Sequence, residues 1–158
     1  MVSPAKLRAF LKKHKRVGLD SNILIYFIEA HPRYQAAAQM IFESIEADRN
    51  RGICSTLSLL EVLVQPYRNE DDDLTNQFYG LLTSYPNLSW IAVSVEIADL
   101  GARLRAQYKL KTPDAILIAT AMHAGASGFI GNDAQLARVT ELDVLLLNAV
   151  SPRPKPSA

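Results

Sequence analysis

The sequence predicts an α/β fold in which a mostly parallel sheet of about four or five strands carries helices on both faces. Short apolar runs, such as Val17-Gly18-Leu19 and Phe129-Ile130, alternate with longer segments whose apolar residues recur at helical spacing. The hydrophobic fraction of 49% and charged fraction of 21% exclude collagen-like, coiled-coil and wholly disordered chains. A length of 158 residues suits one domain large enough to bury a core.

Ser3-Pro4 reads as a cap followed by proline at the first helical position, opening a helix to about Lys13. Lys6, Arg8, Lys12, Lys13, Lys15 and Arg16 crowd this stretch although the net charge is only +1. Such an arm either contacts phosphates through charge or forms an amphipathic helix with Leu7, Phe10 and Leu11 turned inward. Residues 1–15 are accordingly separated as a basic helical extension from a main domain over 16–150.

Arg16 to Leu19 is the first expected strand, and Asn22 to Ile28 one or two helical turns. His31-Pro32 is expected to start a longer helix with Tyr34, Ala38, Ile41, Phe42 and Ile45 on one face. Gly52 to Thr56 is a second strand, followed by a helix through Leu59 to Val64 that Pro66 ends or kinks. The acids Glu70 to Asp73 suit the positive end of the next helix, which carries Leu74, Phe78, Leu81 and Leu82. Leu88 to Val93 is a third strand and Val95 to Tyr108 an amphipathic helix. Thr112-Pro113 opens the next helix, with Thr112 as its cap, and Gly125 stops it. Phe129-Ile130, a short helix over Asp133 to Val139, and a last strand over Val144 to Leu147 complete the pattern. The tail 151–158 holds three prolines and is expected to be a disordered end.

Apolar runs such as Ala115 to Met122 are too short to cross a bilayer, and no basic-then-apolar leader opens the chain. One cysteine excludes an internal disulfide framework and a multi-cysteine zinc site, so Cys54 is expected to be a small core residue. These features point to a soluble cytoplasmic domain with no membrane partner. His14, His31 and His123 lack paired metal-ligand spacing, and the chain contains no nucleophile elbow or P-loop.

Parallel sheets bind ligands beyond the carboxyl ends of their strands. Asp20 follows the first strand, Glu61 lies about a helical turn beyond the second, and Asp133 follows the fourth. Asp114 sits in the first turn of a helix, and periodicity does not bring it to the others. Clustered carboxylates raise one another's pKa, and a hard divalent cation such as Mg²⁺ or Mn²⁺ gives them a reason to gather. Plainer readings exist for each acid: a capping box over Ser58 to Glu61, a helix dipole for Asp114, and N-caps for Asp20 and Asp133. Four acids doing only this beside the ligand edge is the poorer account.

The segments Val17-Gly18-Leu19-Asp20-Ser21-Asn22, Ser58-Leu59-Leu60-Glu61-Val62, Thr112-Pro113-Asp114-Ala115-Ile116-Leu117-Ile118-Ala119 and Gly131-Asn132-Asp133 resemble the successive motifs of PIN-domain ribonucleases, the bacterial VapC-type toxins in particular. The resemblance runs from about Arg16 to Asn148. It implies a PIN-like three-layer α/β/α fold in which Asp20, Glu61, Asp114 and Asp133 meet in one acidic pocket. Asp20 and Asp114 match the family's most direct metal ligands. Glu61 and Asp133 match acids that act through water or a second ion. Ser21, Asn22, Thr112 and Asn132 match supporting polar positions. Two features depart from the pattern: the basic extension is longer, and Gly131 stands where the family often has a hydroxyl residue.

The implied function is metal-dependent hydrolysis of RNA phosphodiesters by the toxin of a toxin–antitoxin pair, with Arg16 and the N-terminal lysines, Arg103 and Arg105 as candidates to position the strand. An antitoxin is then the expected partner, and the Tyr34 to Ile45 and Leu74 to Leu82 stripes could support a homodimer. A catalytically silent PIN-fold module that binds RNA or protein is the alternative. A phosphatase using Asp20 as nucleophile is disfavoured, because a second aspartate is wanted where Asn22 stands.

Overall fold

A computed structural model describes residues 1–148. The expected Pro-rich tail, 151–158, lies outside the described residues. Five strands, β1 (Arg16–Leu19), β2 (Arg51–Ser55), β3 (Leu88–Ile91), β4 (Gly128–Gly131) and β5 (Asp143–Leu146), form one sheet in the order β3-β2-β1-β4-β5. Every pairing is parallel. The helices are α1 (Pro4–Lys13), α2 (Ser21–Ile28), α3 (Gln35–Glu46), α4 (Thr56–Arg68), α5 (Asp72–Thr83), α6 (Val95–Tyr108) and α7 (Thr112–His123), with a 3-10 turn over Ala134–Arg138.

Alternation along the strands builds two cores, one on each face. Val17, Leu19, Cys54, Leu88, Ile130 and Leu145 face a core shared with α1, α2, α3 and parts of α4 and α5. Ile53 and Phe129 face the other, packed by α6 and α7. This is the expected three-layer α/β/α arrangement. Gly18 makes the second layer fit closely: a Cβ there would stand 2.5 Å from Ala121 Cβ and 2.6 Å from the Phe129 ring. Absence of a side chain lets α7 lie directly on β1.

α1 follows the amphipathic expectation, burying Leu7, Phe10 and Leu11. It is pinned at the amino edge of the sheet by His14, whose Nε2 lies 2.7 Å from Asp143 Oδ2 and whose Nδ1 lies 2.6 Å from Ser127 Oγ. The acidic run also behaves as expected, with Asp71 Oδ1 accepting from Leu74 N at 3.0 Å to cap α5.

Four local expectations are corrected. The third helix begins at Gln35 rather than at His31-Pro32. His31 Nδ1 accepts a bond from Arg33 N at 3.1 Å, a local alternative that holds a turn ahead of the helix. Of the two outcomes expected at Pro66, the helix end does not occur there, since α4 continues to Arg68. Proline here lies close to the helix end, and Asn69 N already donates to Gln65 O at 3.0 Å. Ser55, not Ser58, caps α4, its Oγ accepting from Leu57 N at 3.1 Å, so the capping box does not form. Lys111, not Thr112, is the cap residue of α7, which makes Asp114 its third residue.

Of the stripes offered for a homodimer, the one on α3 is internal, with Ala38, Ile41, Phe42 and Ile45 at most 1% exposed; on α5 Phe78 and Leu82 are buried while Leu81 is 42% exposed. No helix among the described residues is long and apolar enough to cross a membrane.

Candidate active site

The strand order changes direction beside β1, and the crevice there opens at the carboxyl ends of β1 and β4. Asp20 leaves β1 into this crevice. Its backbone is used, since Asp20 N donates to Ile130 O at 3.0 Å and Asp20 O accepts from Ile23 N at 3.0 Å. It occupies the N-cap position of α2, yet its carboxylate makes no capping bond. Asp20 is buried, 6% exposed, and its carboxylate does not serve the helix end.

Asp114 arrives by way of α7. Ala121 of that helix lies over Gly18, and Arg16 Nη1 reaches Ala124 O at 2.9 Å. The helix thus runs antiparallel to β1, and its first turn comes to the end where Asp20 stands. Asp114 Oδ2 is buried and has no hydrogen-bond partner among the described residues. Unmatched buried oxygens are costly, and a cation is one of the few things that satisfies them.

Glu61 is exposed on α4 and is contacted by Ser21, which Ser58 in turn holds. Ser21 Oγ donates to Ser58 Oγ at 2.8 Å and approaches Glu61 Oε1 at 3.3 Å. Ser58 is wholly buried, and its role escaped the sequence reading because the Ser-x-x-Glu spacing suggested a cap. Asp133 caps the 3-10 turn, one oxygen accepting from Gln135 N at 2.9 Å. Asn132 is locked on both sides: its Nδ2 donates to the Tyr26 hydroxyl at 3.0 Å and its Oδ1 accepts from Asn148 N at 2.9 Å. Asn22 is exposed, and Thr112 is the first residue of α7 and also exposed.

Electrostatics binds the four acids together. Burial pushes the Asp20 pKa up to about 6, assisted by the charges of Asp114, Glu61 and Asp133 and opposed by a bond from the Ser21 backbone. Burial raises Glu61, with the Ser21 hydroxyl opposing and Asp114 adding to it. Burial raises Asp114 as well, Asp133 adding and Lys111 opposing. Lys111 is a further residue that the sequence did not single out; its charge acts on Asp114.

The expected cations of the N-terminal segment lie away from the acids. Arg16 begins β1, at the edge opposite Asp20, and Lys12, Lys13 and Lys15 gather at that same edge. Arg103 is paired with Glu141 through contacts of 2.8 and 2.9 Å, and Arg105 Nε is bonded to Leu110 O. For the N-terminal cations the physical reason is direction: parallel strands place all their starts at one edge and all their ends at the other.

All-oxygen donors, an orphaned Asp114 oxygen and mutual repulsion fit a hard divalent cation. Among the described residues no group of three or more His, Cys, Asp or Glu side chains forms a ready-made metal cage. Carboxylate oxygens of this kind suit an ion that uses few carboxylates and keeps several waters, as Mg²⁺ does.

The sequence profile of the PIN domain matches residues 17–142. This chain belongs to the PIN domain family. The structure resembles that of VapBC2 from Rickettsia felis bound to a promoter DNA fragment, with a TM-score of 0.67, 18% identity, and 83% of this chain and 98% of that chain covered. A toxin–antitoxin complex from Klebsiella pneumoniae matches with a TM-score of 0.60 and 25% identity over 82% of this chain and 95% of that one. DNA-bound VapBC from Salmonella typhimurium matches with a TM-score of 0.59 and 16% identity over 83% and 96%. No curated protein matches the chain. The PIN fold is thereby shown.

Proposed function

We propose that this PIN domain is a metal-dependent ribonuclease acting as the toxin of a toxin–antitoxin pair. The observation that carries the reading is the unpaired, buried Asp114 Oδ2 in an acid cluster with Asp20, Glu61 and Asp133. Membership of the PIN family and likeness to toxin–antitoxin complexes support it.

Asp20 and Asp114 would hold Mg²⁺ or Mn²⁺, with Glu61 and Asp133 placed to orient its waters or a second ion. Such an ion neutralises phosphate charge and lowers the pKa of water for attack on phosphorus. The protein's own part is positional. Ser21, held by Ser58, contacts Glu61, the 3-10 turn holds one oxygen of Asp133, and Tyr26 with Asn148 fixes Asn132 between Gly131 and Asp133. Lys111 at the start of α7 supplies positive charge beside Asp114. In the overall reaction water adds to phosphorus, one P–O bond breaks, and the leaving oxygen takes up a proton.

An antitoxin needs an apolar landing site near the acids. Leu60, next to Glu61, is 58% exposed, and Tyr67, seven residues further along α4, is 63% exposed on the same side of the helix. This stripe is the proposed antitoxin contact. Incubating purified protein, freed of partner, with total cellular RNA and with tRNA tests the enzymatic reading. Cleavage with Mg²⁺ or Mn²⁺ that stops with chelator supports it. RNA binding that survives chelator, with no cleavage of either RNA, favours the silent module.

A further inference from the structure

A cavity of about 640 Å³ lies away from the acids, between α1, α3 and the loop that leads into β2. Leu11 and Met40 contribute apolar lining, and Arg8, Lys12, Lys15 and Arg49 surround it, against one acid, Glu43. The wall is rigid. Buried Asn50 donates to Leu11 O at 2.8 Å and His14 O at 2.6 Å and accepts from Ser44, tying the end of α1 to α3. Those polar groups are thereby consumed within the protein. Lys15 Nζ donates to Asp48 O at 2.7 Å, which fixes the loop bearing Arg49.

Charge continues beyond the cavity. Arg16 and Arg51 are register partners at the starts of β1 and β2, so they stand side by side at the same sheet edge. Among the described residues, none of Arg8, Lys12, Lys15, Arg16, Arg49 and Arg51 takes part in an ion pair. The acids occupy one end of the sheet and these cations the other. α1 itself lies outside residues 17–142, so half of this groove comes from chain ahead of the PIN match.

We infer that the α1–α3 groove and the adjoining sheet edge bind the phosphodiester backbone of RNA, at a site separate from the acid cluster. A line of cations running from α1 across two neighbouring strands calls for a ligand with negative charge at short, regular intervals. A phosphodiester chain has that property, and an acidic protein segment spaces its charges less evenly. The RNA is that of the proposed ribonuclease reading, on which this inference rests: the two edges are separated by the length of a four-residue strand, about 13 Å, which a longer RNA spans.

Binding of a labelled single-stranded RNA to the full chain carrying Asp114→Asn, without divalent metal, tests this independently of cleavage. Against that background Arg8→Gln, Lys12→Gln and Arg49→Gln are combined, and affinity is followed over a salt series. Loss of three phosphate contacts should flatten the slope of log K against log salt by about 2 and weaken binding at low salt by about tenfold or more. The combined variant should retain the parent's melting temperature, since all three side chains are exposed. Unchanged slope and affinity would overturn the inference. So would loss of binding to a poly-glutamate peptide with RNA binding intact, which would make the groove a protein site. Should the wild type cleave no RNA while the groove variant still loses RNA affinity, the ribonuclease reading fails and the groove stands.

Discussion

Ser21 Oγ donates to Ser58 Oγ at 2.8 Å, joining the first turn of α2 to α4 one helical turn before Glu61. Ser21 follows Asp20 directly, so this bond couples the positions of two candidate ligands drawn from different elements. Ser58→Ala removes a buried partner and should cost about 1 kcal/mol of stability. Cleavage should fall while the fold persists, because Ser21, which contacts Glu61 and adjoins Asp20, loses the partner that holds it. Urea unfolding beside a cleavage assay checks both effects, and unchanged activity would remove Ser58 from the site.

Asp20 makes the metal-free protein sensitive to pH. Its folded pKa of about 6 exceeds the ordinary 3.8. Between those values the folded state holds a proton that the unfolded chain has released. Stability therefore falls as pH rises through about 4 to 6 and is level above, a total of about 3 kcal/mol. Asp20→Asn should remove most of this slope and raise the melting temperature of the metal-free protein at pH 8. Thermal unfolding in chelator across pH measures it; a wild type whose stability rises through that window contradicts the account.

Metal should reverse the penalty. An ion bound only by the folded state at about 100 times its Kd stabilises by about 2.7 kcal/mol. Because ligand carboxylates must be ionised, the gain from Mn²⁺ should grow as pH rises through about 6. Thermal shifts with Mn²⁺ at pH 5 and pH 8 test this, and an equal shift at both would argue against Asp20 as a ligand.

Gly131 leaves little room beside Asp20. A Cβ at this position would stand 3.4 Å from Asp20 Oδ2, 3.3 Å from its Cβ and 2.5 Å from Leu136 Cδ1. Gly131→Ala should therefore cost about 1–3 kcal/mol through overpacking and lower cleavage by shifting Asp20. Denaturation and activity assays on the same preparation read out both, and a variant as stable as the parent would show that Leu136 yields freely.

Particular residues show what the sequence revealed. Asp20 and Asp133 were legible because each follows an apolar strand, and parallel strands end at one edge. Asp114 was not legible from spacing, since its place depends on α7 lying antiparallel over Gly18, a contact between residues far apart in the chain. The family resemblance supplied what local pattern lacked. Ser58 was hidden by a spacing that also describes a cap, and Lys111 by its neighbour Thr112, the better capping residue. The basic arm was legible as charge but not as location, because strand direction carries its end away from the acids.

The central claim is that Asp114 holds the ion on which RNA hydrolysis depends. Its most direct test is the rate of RNA cleavage by wild type and Asp114→Asn at saturating RNA with Mg²⁺, each shown to be folded. The expected loss for Asp114→Asn is greater than the roughly 10–100-fold that removal of an outer-shell partner costs. Wild-type rates from a folded Asp114→Asn would contradict it.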